Sequence, residues 1–455
     1  MNGASEAQGA TSMLRFNPYS AYRNSGVDWL GEIPSHWSIS RLKHLAALNP
    51  ESLPEETDPA REMTYVDIGG VDSLGRIVEK QQLTFASAPT RARRLVRNGD
   101  VIVSTVRTYL RAIAQIHDPE PEMVVSTGFA VVRPADGLSA AYAAYALRAP
   151  YFVDRVVANS KGVSFPAINE SEMATYVLAV PPEAEQPAVA TFLDRETARI
   201  DALVAENERL IELLQEKRTA LITRAVSKGL DPDVPMKNSG VEWLGEIPIH
   251  WEGVKMWRIS QAMSGGTPSK EERGYWNGEV PWVSPKDMKR RFIDSSEDSI
   301  TERAIAETGL KLLAPPVVLI VVRGMILAHS FPVAITTVPV TINQDMKALT
   351  FRPIVNSAFM AWAFEGLGKA LLAAIVEEAA HGTRAIRMDQ WRSVTVPLPP
   401  ASEQVAIAGF LDRETAKLDE LVARVRSVID RLKELRTALI SAAVTGKIDV
   451  REEAV

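Results

Sequence analysis

The chain says the same thing twice. Asn24-Ser25-Gly26-Val27-Asp28-Trp29-Leu30-Gly31-Glu32-Ile33-Pro34-Ser35-His36-Trp37 returns as Asn238-Ser239-Gly240-Val241-Glu242-Trp243-Leu244-Gly245-Glu246-Ile247-Pro248-Ile249-His250-Trp251. A second segment, from Phe192-Leu193-Asp194-Arg195-Glu196-Thr197 to Arg218-Thr219-Ala220-Leu221-Ile222, returns from Phe410-Leu411-Asp412-Arg413-Glu414-Thr415 to Arg436-Thr437-Ala438-Leu439-Ile440. A repeat of this length is a duplicated domain rather than a short solenoid unit. The stretches between the copies differ, so one frame presents two independently specified surfaces.

Composition bounds what those surfaces do. At 455 residues, 46% hydrophobic and 24% charged, the chain has room for two or three cores. It has no cysteine, which excludes disulfides, thiolate metal sites and cysteine nucleophiles and points to the cytoplasm. No apolar run approaches the roughly 18 residues of a membrane span. Residues 1–15 read as a flexible tail, and 1–12 lack the layout of a signal peptide. A net charge of −6 argues against non-specific coating of nucleic acid; if DNA is the ligand, positive charge must be local or supplied by partners.

The elements between the copies run in one order in both halves. Strands are expected at 101–103, after the Asn98-Gly99 turn signal, and at 130–132. A helix over 140–157, broken or kinked at Pro150, and a strand at 176–180 before Pro181-Pro182 follow. In the second half the order is strand 317–322, strand 348–351, helix 359–377 and strand 394–396. With no regular βαβ alternation, the class is α+β.

A long helix follows each proline pair. No Gly or Pro lies inside 188–228 or 410–445, Pro187 suits a first turn, and Gly229 and Gly446 are stops. Each helix is on the order of 65 Å long. Leu418, Leu421, Val425, Val428, Leu432, Leu435, Leu439 and Ala442 hold a heptad; Ile200, Leu203, Asn207, Leu210, Leu214, Lys217, Leu221 and Arg224 stand at equivalent places. The stripes bury each other as an antiparallel coiled coil, because a globular unit between them can return the chain to the opposite end. Asn207 and Lys217 either fix its register or lie at the seam's edge. Val204, Ile211, Leu213, Val422 and Ile429 are surplus to the seam and suggest a further helical partner.

Catalytic patterns are missing. Asn17-Pro18-Tyr19 lacks the second proline of an amino-methyltransferase motif, Thr445-Gly446-Lys447 lacks the Walker spacing, and Asp287-Met288-Lys289 reads as a solvated turn. The six histidines show no metal-binding spacing, and His36 and His250 read as packing beside Trp37 and Trp251. Positive charge is concentrated instead. Arg91, Arg93, Arg94, Arg97, Arg107 and Arg111 face one acid, Asp100, with Ser104, Thr105, Thr108 and Tyr109 interleaved; Lys286, Lys289, Arg290 and Arg291 face only Asp287. Lys161-Gly162-Val163-Ser164 and His381-Gly382-Thr383-Arg384 are small polar loops at matching positions. Such mixtures suit phosphate and base-edge contacts.

The repeated opening, together with Ser264-Gly265-Gly266-Thr267-Pro268-Ser269, Tyr275-Trp276-Asn277-Gly278, Pro281-Trp282-Val283, Ile342-Asn343-Gln344-Asp345 and the Pro-Pro-x-x-Glu-Gln lead into each long helix, resembles the specificity subunit of type I restriction–modification systems. The likeness covers nearly all the chain beyond residue 15, although the first half lacks the Gly-Gly-Thr-Pro-Ser and Tyr-Trp elements.

The resemblance implies two α/β target recognition domains in a pseudo-twofold arrangement, separated by a long antiparallel two-helix coiled coil. The expected boundaries are domain one 16–182, helix one 183–228, linker and domain two 229–400, helix two 401–446 and a tail 447–455. Each domain would read half of a bipartite, asymmetric site in double-stranded DNA, and the coiled coil would set the spacer. Two adenine-N6 methyltransferase subunits would dock on it and ATP-dependent restriction subunits would join. This chain would be non-catalytic and bind no cofactor or metal; S-adenosylmethionine and ATP with Mg would sit on partners. The expected DNA contacts are Arg94, Arg107, Tyr109, Arg111 and Lys161 in domain one, and Thr267, Lys286, Arg290, Arg291, Arg323, Thr383 and Arg384 in domain two. Arg323 is aligned with Arg107, each at a strand end. Gly265 and Gly266 read as turn formers, and Trp276 and Trp282 as core. The rival readings are a specificity module of another nuclease–methyltransferase assembly and a coiled-coil scaffold that never reads DNA.

Overall fold

The computed structural model describes residues 16–378 and 383–451, so the expected tail 1–15, the end of the second tail and the His381-Gly382 pair lie outside the described residues. The chain divides into two compact units. One takes the chain up to Asn207 and again from Ser427; the other is Glu208–Arg426.

In the first unit Val101–Ser104 lies between Phe129–Pro134 and Ile113–Gln115 in an antiparallel sheet edged by Ala46–Leu48. Val101 and Val103 face the helices Ala140–Arg148 and Pro150–Ala158, whereas Ile102 faces a second apolar cluster with Val125 and Val131. Burial on both faces explains an unbroken Val-Ile-Val run where a half-exposed strand would alternate. Pro150 ends one helix and opens the next, where its missing N–H costs nothing. A second sheet holds Glu62–Val66 parallel to Met123–Ser126.

The second unit repeats the plan with other residues. Val318–Val321 pairs with Val333–Thr336 and Met346–Phe351 in a five-stranded sheet. Its core helix, Ser357–Ile375, is long and apolar enough to cross a membrane by length and composition, with mean hydropathy 1.4. That corrects the expectation that no run comes close. The helix is a core element: Phe359, Trp362, Phe364, Leu367 and Leu371 are all buried in the unit's main cluster, and Gly366 lets it approach Ile222 and Val226.

The long helices are Gln186–Lys228 and Ala401–Val444, each stopped by a left-handed glycine, Gly229 (φ 77°) and Gly446 (φ 69°). In the first unit Ile200 and Val204 share a cluster with Leu432, Leu435 and Leu439, and Arg436 pairs with Asp201 at 2.9 Å. In the second, Leu221, Ile222 and Ala225 share a cluster with Ile407, Ala408 and Leu411, and Arg218 pairs with Asp419 at 3.2 Å. Early residues of each helix meet late residues of the other, so the pair is antiparallel.

The seam itself differs from the expected one. The inward positions are Leu193, Thr197, Ile200, Val204, Asn207, Ile211, Leu214, Arg218, Leu221 and Ala225, and at one constant displacement Leu411, Thr415, Leu418, Val422, Val425, Ile429, Leu432, Arg436, Leu439 and Ala443. Leu203, Leu210, Leu421 and Val428, placed in the seam from sequence, are 40%, 42%, 45% and 45% exposed. The expected surplus residues Val204, Ile211, Val422 and Ile429 take their places. A 3.5-residue period admits either a three- or a four-residue step, and here both Leu421 and Val422, or Val428 and Ile429, are apolar. Asn207 lies in the half-buried row and Lys217 outside it.

The copied motifs fasten each unit to its long helix. Glu185 accepts hydrogen bonds from Trp37 Nε1 (3.2 Å), the Tyr19 hydroxyl and His36 Nε2 (2.9 Å). Glu403 takes Trp251 Nε1 at 3.1 Å and His250 Nε2 at 2.9 Å. Gln186 and Gln404 behave as twins: the Gln186 amide donates to Gly137 O and Pro181 O and accepts from Ser139 N, and Gln404 does the same with Ile354, Pro399 and Asn356. The segment expected as a C-terminal tail is not loose as far as 451. Ile448 and Val450 are buried in the first unit's core, and Asp449 N donates to Asn17 O at 2.7 Å.

Candidate nucleic-acid interface

Most of the basic run 91–111 is neutralised locally. Arg91 pairs with Asp67 (2.6 Å), Arg94 with Glu170 (2.8 Å), Arg97 with Glu51 (2.5 Å) and Arg111 with Asp154 (3.0 Å). Arg93 lies over the Phe85 ring and Arg107 over Phe165, 4.8 Å from its centroid. Burial pushes the Asp67 carboxyl up, but hydrogen bonds from Arg91 and the Ile68 N–H outweigh it and hold the acid below its ordinary range. Arg94 is turned inward, which removes it from the set of residues that can meet a phosphate.

Arg107, Tyr109, Arg111 and Lys161 are brought together by one device. The strand Val101–Ser104 runs into a 3₁₀ turn, Thr108–Leu110, whose flanks Arg107 and Arg111 are both left-handed at φ 52°. Beside it the loop 161–167 closes by paired backbone bonds, Lys161 N to Ala167 O at 2.8 Å and Ala167 N to Lys161 O at 2.9 Å. It docks through Arg107 N to Pro166 O (2.8 Å) and Ile168 N to Thr105 O (2.9 Å). Tyr109, Val163 and Phe165 point to solvent from this surface.

The second unit builds the same device. Val318–Val321 runs into the turn Met325–Ala328, and the hairpin of Val376–Glu378 with Arg384–Ile386 docks beside it. Here the docking bonds are Gly324 N to Arg384 O (2.9 Å) and Ile386 N to Val322 O (2.9 Å). These bonds correct the expected alignment: Gly324 stands where Arg107 does, and Arg323 stands where Val106 does, each bridging the hairpin at Ala385 and Ala167. One residue of register cannot be read when the flanking sequences differ. Arg323 and Arg384 are exposed on this device and Thr383 is half-buried.

The other second-unit candidates lie elsewhere. Lys286 is paired with Asp298 (2.8 Å) and Glu297 (3.1 Å), and Arg290 with Asp294 (3.0 Å). Arg291 is a correction. Its guanidinium sits 3.4 Å over Trp362 between Glu365 and Asp412, and burial pushes its pKa down to about 10 against the pull of those carboxylates. It ties the core helix to the second long helix and faces no solvent-borne ligand. Thr267 is exposed and its hydroxyl donates to Gln344, which brings two of the quoted motifs together. Gly265 is there for close approach rather than a turn, since a Cβ would fall 1.9 Å from Ile342 O. Trp276 and Trp282 meet edge to face at 5.2 Å and anchor to Ser269 O and Gly266 O.

Sequence reasoning missed Phe165 and Met325. Both are large apolar side chains that the structure leaves exposed, and their neighbours, Ser164 and Pro166 in one case and Gly324 and Ile326 in the other, carry no signal that would have found them.

Each unit therefore carries a turn with a docked hairpin: the first presents guanidinium, hydroxyl and aromatic groups, the second guanidinium, hydroxyl and thioether groups. Residues 248–431 match the family described as type I restriction modification DNA specificity domain. It is 33% identical over 254 residues to the EcoR124I/EcoR124II specificity subunit of Escherichia coli, covering 55% of this chain and 56% of that one. It is 26% identical over 201 residues to the MjaIX specificity subunit of Methanocaldococcus jannaschii, covering 43% and 44%. The chain thus spans about half the length of these curated relatives. A chain in a solved type I restriction–modification complex, described as the basis of its assembly and conformational transition, shares the fold at TM-score 0.70 and 23% identity, covering 90% of this chain and 98% of that one.

Proposed function

We propose that this chain is the DNA sequence-specificity subunit of a type I restriction–modification complex. Each unit reads one half of a bipartite, asymmetric site in double-stranded DNA, and the antiparallel helices set the spacer. The observation that carries this reading is the turn-and-hairpin device built twice, with the same backbone bonds and different side chains. One scaffold with two unlike reading surfaces is what an asymmetric split site requires.

The exposed row of Leu203 and Leu210, repeated as Leu421 and Val428, is the docking surface for two adenine-N6 methyltransferase subunits. ATP-dependent restriction subunits join that assembly. The chain itself is non-catalytic and acts in the cytoplasm; S-adenosylmethionine, ATP and Mg are held by the partners. The sparse unpaired positive charge fits this division of labour, because subunits that close around the duplex supply phosphate contacts.

Co-expression with the cognate methyltransferase subunits in a host free of adenine methylation, followed by methylation-sensitive sequencing, tests the reading. A methyladenine motif in two blocks with an unread spacer is the expected result. Methylation without sequence preference would leave the chain a scaffold.

A further inference from the structure

Among the arginines of 91–111, four are spent on carboxylates and Arg93 lies on Phe85. Arg107 is in no ion pair among the described residues, and it borders a cleft of about 390 Å³ lined by Asp67, Arg91, Ser126, Thr127 and Phe165. Its backbone is fixed at φ 52° and ψ 47° and held by the bond to Pro166. Its guanidinium lies over the Phe165 ring, 4.8 Å from the centroid, and that ring is itself 59% exposed. Stacking covers a face of the guanidinium and leaves its N–H edge free, which is the edge that makes two parallel hydrogen bonds.

A phosphate anchor needs charge near the backbone and tolerates a mobile side chain. A base-reading arginine needs a planar fork held in one orientation, because guanine offers O6 and N7 side by side in the major groove. Arg107 is built in the second way. We propose that Arg107 is a specificity-determining residue that reads a guanine in the half-site of the first unit, with Phe165 as the positioning residue that aims it. The inference rests on the specificity-subunit reading. It also predicts an asymmetry, since Gly324 occupies the matching place in the second unit and carries no side chain to read with.

The test uses the full chain with its methyltransferase subunits and reads the genomic methyladenine motif for wild type, Arg107→Asn, Arg107→Lys and Phe165→Ala. Asparagine tolerates the left-handed backbone, so the first variant is not strained by it. Arg107→Asn and Arg107→Lys are expected to lose about tenfold or more of the preference at one guanine, in one half-site, with the other half-site read as before. The intact half-site reports a folded, assembled chain. Phe165→Ala is expected to weaken preference at that same guanine. An unchanged motif with uniformly lower methylation, or full selectivity with Arg107→Lys, would make Arg107 a phosphate anchor and overturn the proposal. A wild-type complex without any motif would instead remove the specificity reading, and this inference with it.

Discussion

Arg436 donates to Asp201 at 2.9 Å, and Arg218 makes the counterpart contact with Asp419 at 3.2 Å; each pair is the image of the other under the chain's internal repeat. A heptad alone would allow the two helices to slide by one repeat. These ion pairs set the register, since a guanidinium turned into the seam must find its carboxylate there. The Arg436 side chain is 12% exposed and Asp201 31%, so the pair is partly desolvated. Arg436→Ala is expected to cost roughly 1–2 kcal/mol, between an exposed pair and a buried one broken on one side. Urea unfolding of Arg436→Ala, Asp201→Ala and the double variant checks it; additive losses would show that the two residues are not coupled.

The corrected seam separates stability from docking. Ile429→Ala is expected to lose about 2–4 kcal/mol, because the side chain is buried. Leu421→Ser with Val428→Ser is expected to change stability by less than about 1 kcal/mol in total, while weakening association with the proposed methyltransferase partners. Denaturation and size-exclusion of the assembled complex read the two effects apart. Equal losses of stability from both changes would return Leu421 and Val428 to the seam.

Glu185 holds three side chains at once. Glu185→Ala leaves the Tyr19 hydroxyl and the Trp37 indole N–H without an acceptor inside the first unit, at about 1–3 kcal/mol each. A lowered midpoint should appear for the first unit's transition, together with faster proteolysis there. Stability equal to wild type would mean that the hub is dispensable.

Gly265 tolerates no side chain. Gly265→Ala places a Cβ against Ile342 O, a backbone atom that cannot swing aside, and should cost at least about 2 kcal/mol in the second unit. Under the proposed function the motif read by the complex would lose definition in one half only. Loss in both halves would point to general unfolding.

Spacer length gives the fifth prediction. Seven residues inserted after Asn207, matched by seven after Arg426, keep both seams in phase and add roughly 10 Å of helix, about three base pairs. The methylated motif should gain that much unread spacer with both halves unchanged. An insertion in one helix alone leaves Arg436–Asp201 and Arg218–Asp419 unable to form together and should abolish the motif.

Much of this was legible in the chain. The strand and helix order, the break at Pro150 and the two glycine stops follow from local rules, since φ restrictions and runs of β-branched residues act within a few positions. Packing beside their tryptophans is not the main role of His36 and His250: both are exposed and bond to Glu185 and Glu403, partners far along the chain. The candidate interface was legible only as a region. Arg94, Arg291 and Arg107 look alike as letters, yet Glu170 and Glu365 claim the first two from far along the chain.

The sequence by itself determined the duplication, the α+β frame and the existence of two paired long helices, because periodicity and repetition are properties of the string. Tertiary structure alone decided which of Leu421 and Val422 faces inward, that Gly324 rather than Arg323 matches Arg107, and which arginines remain open to a ligand. Each of these choices lies between local options of nearly equal free energy, and contacts between residues distant in sequence break the tie.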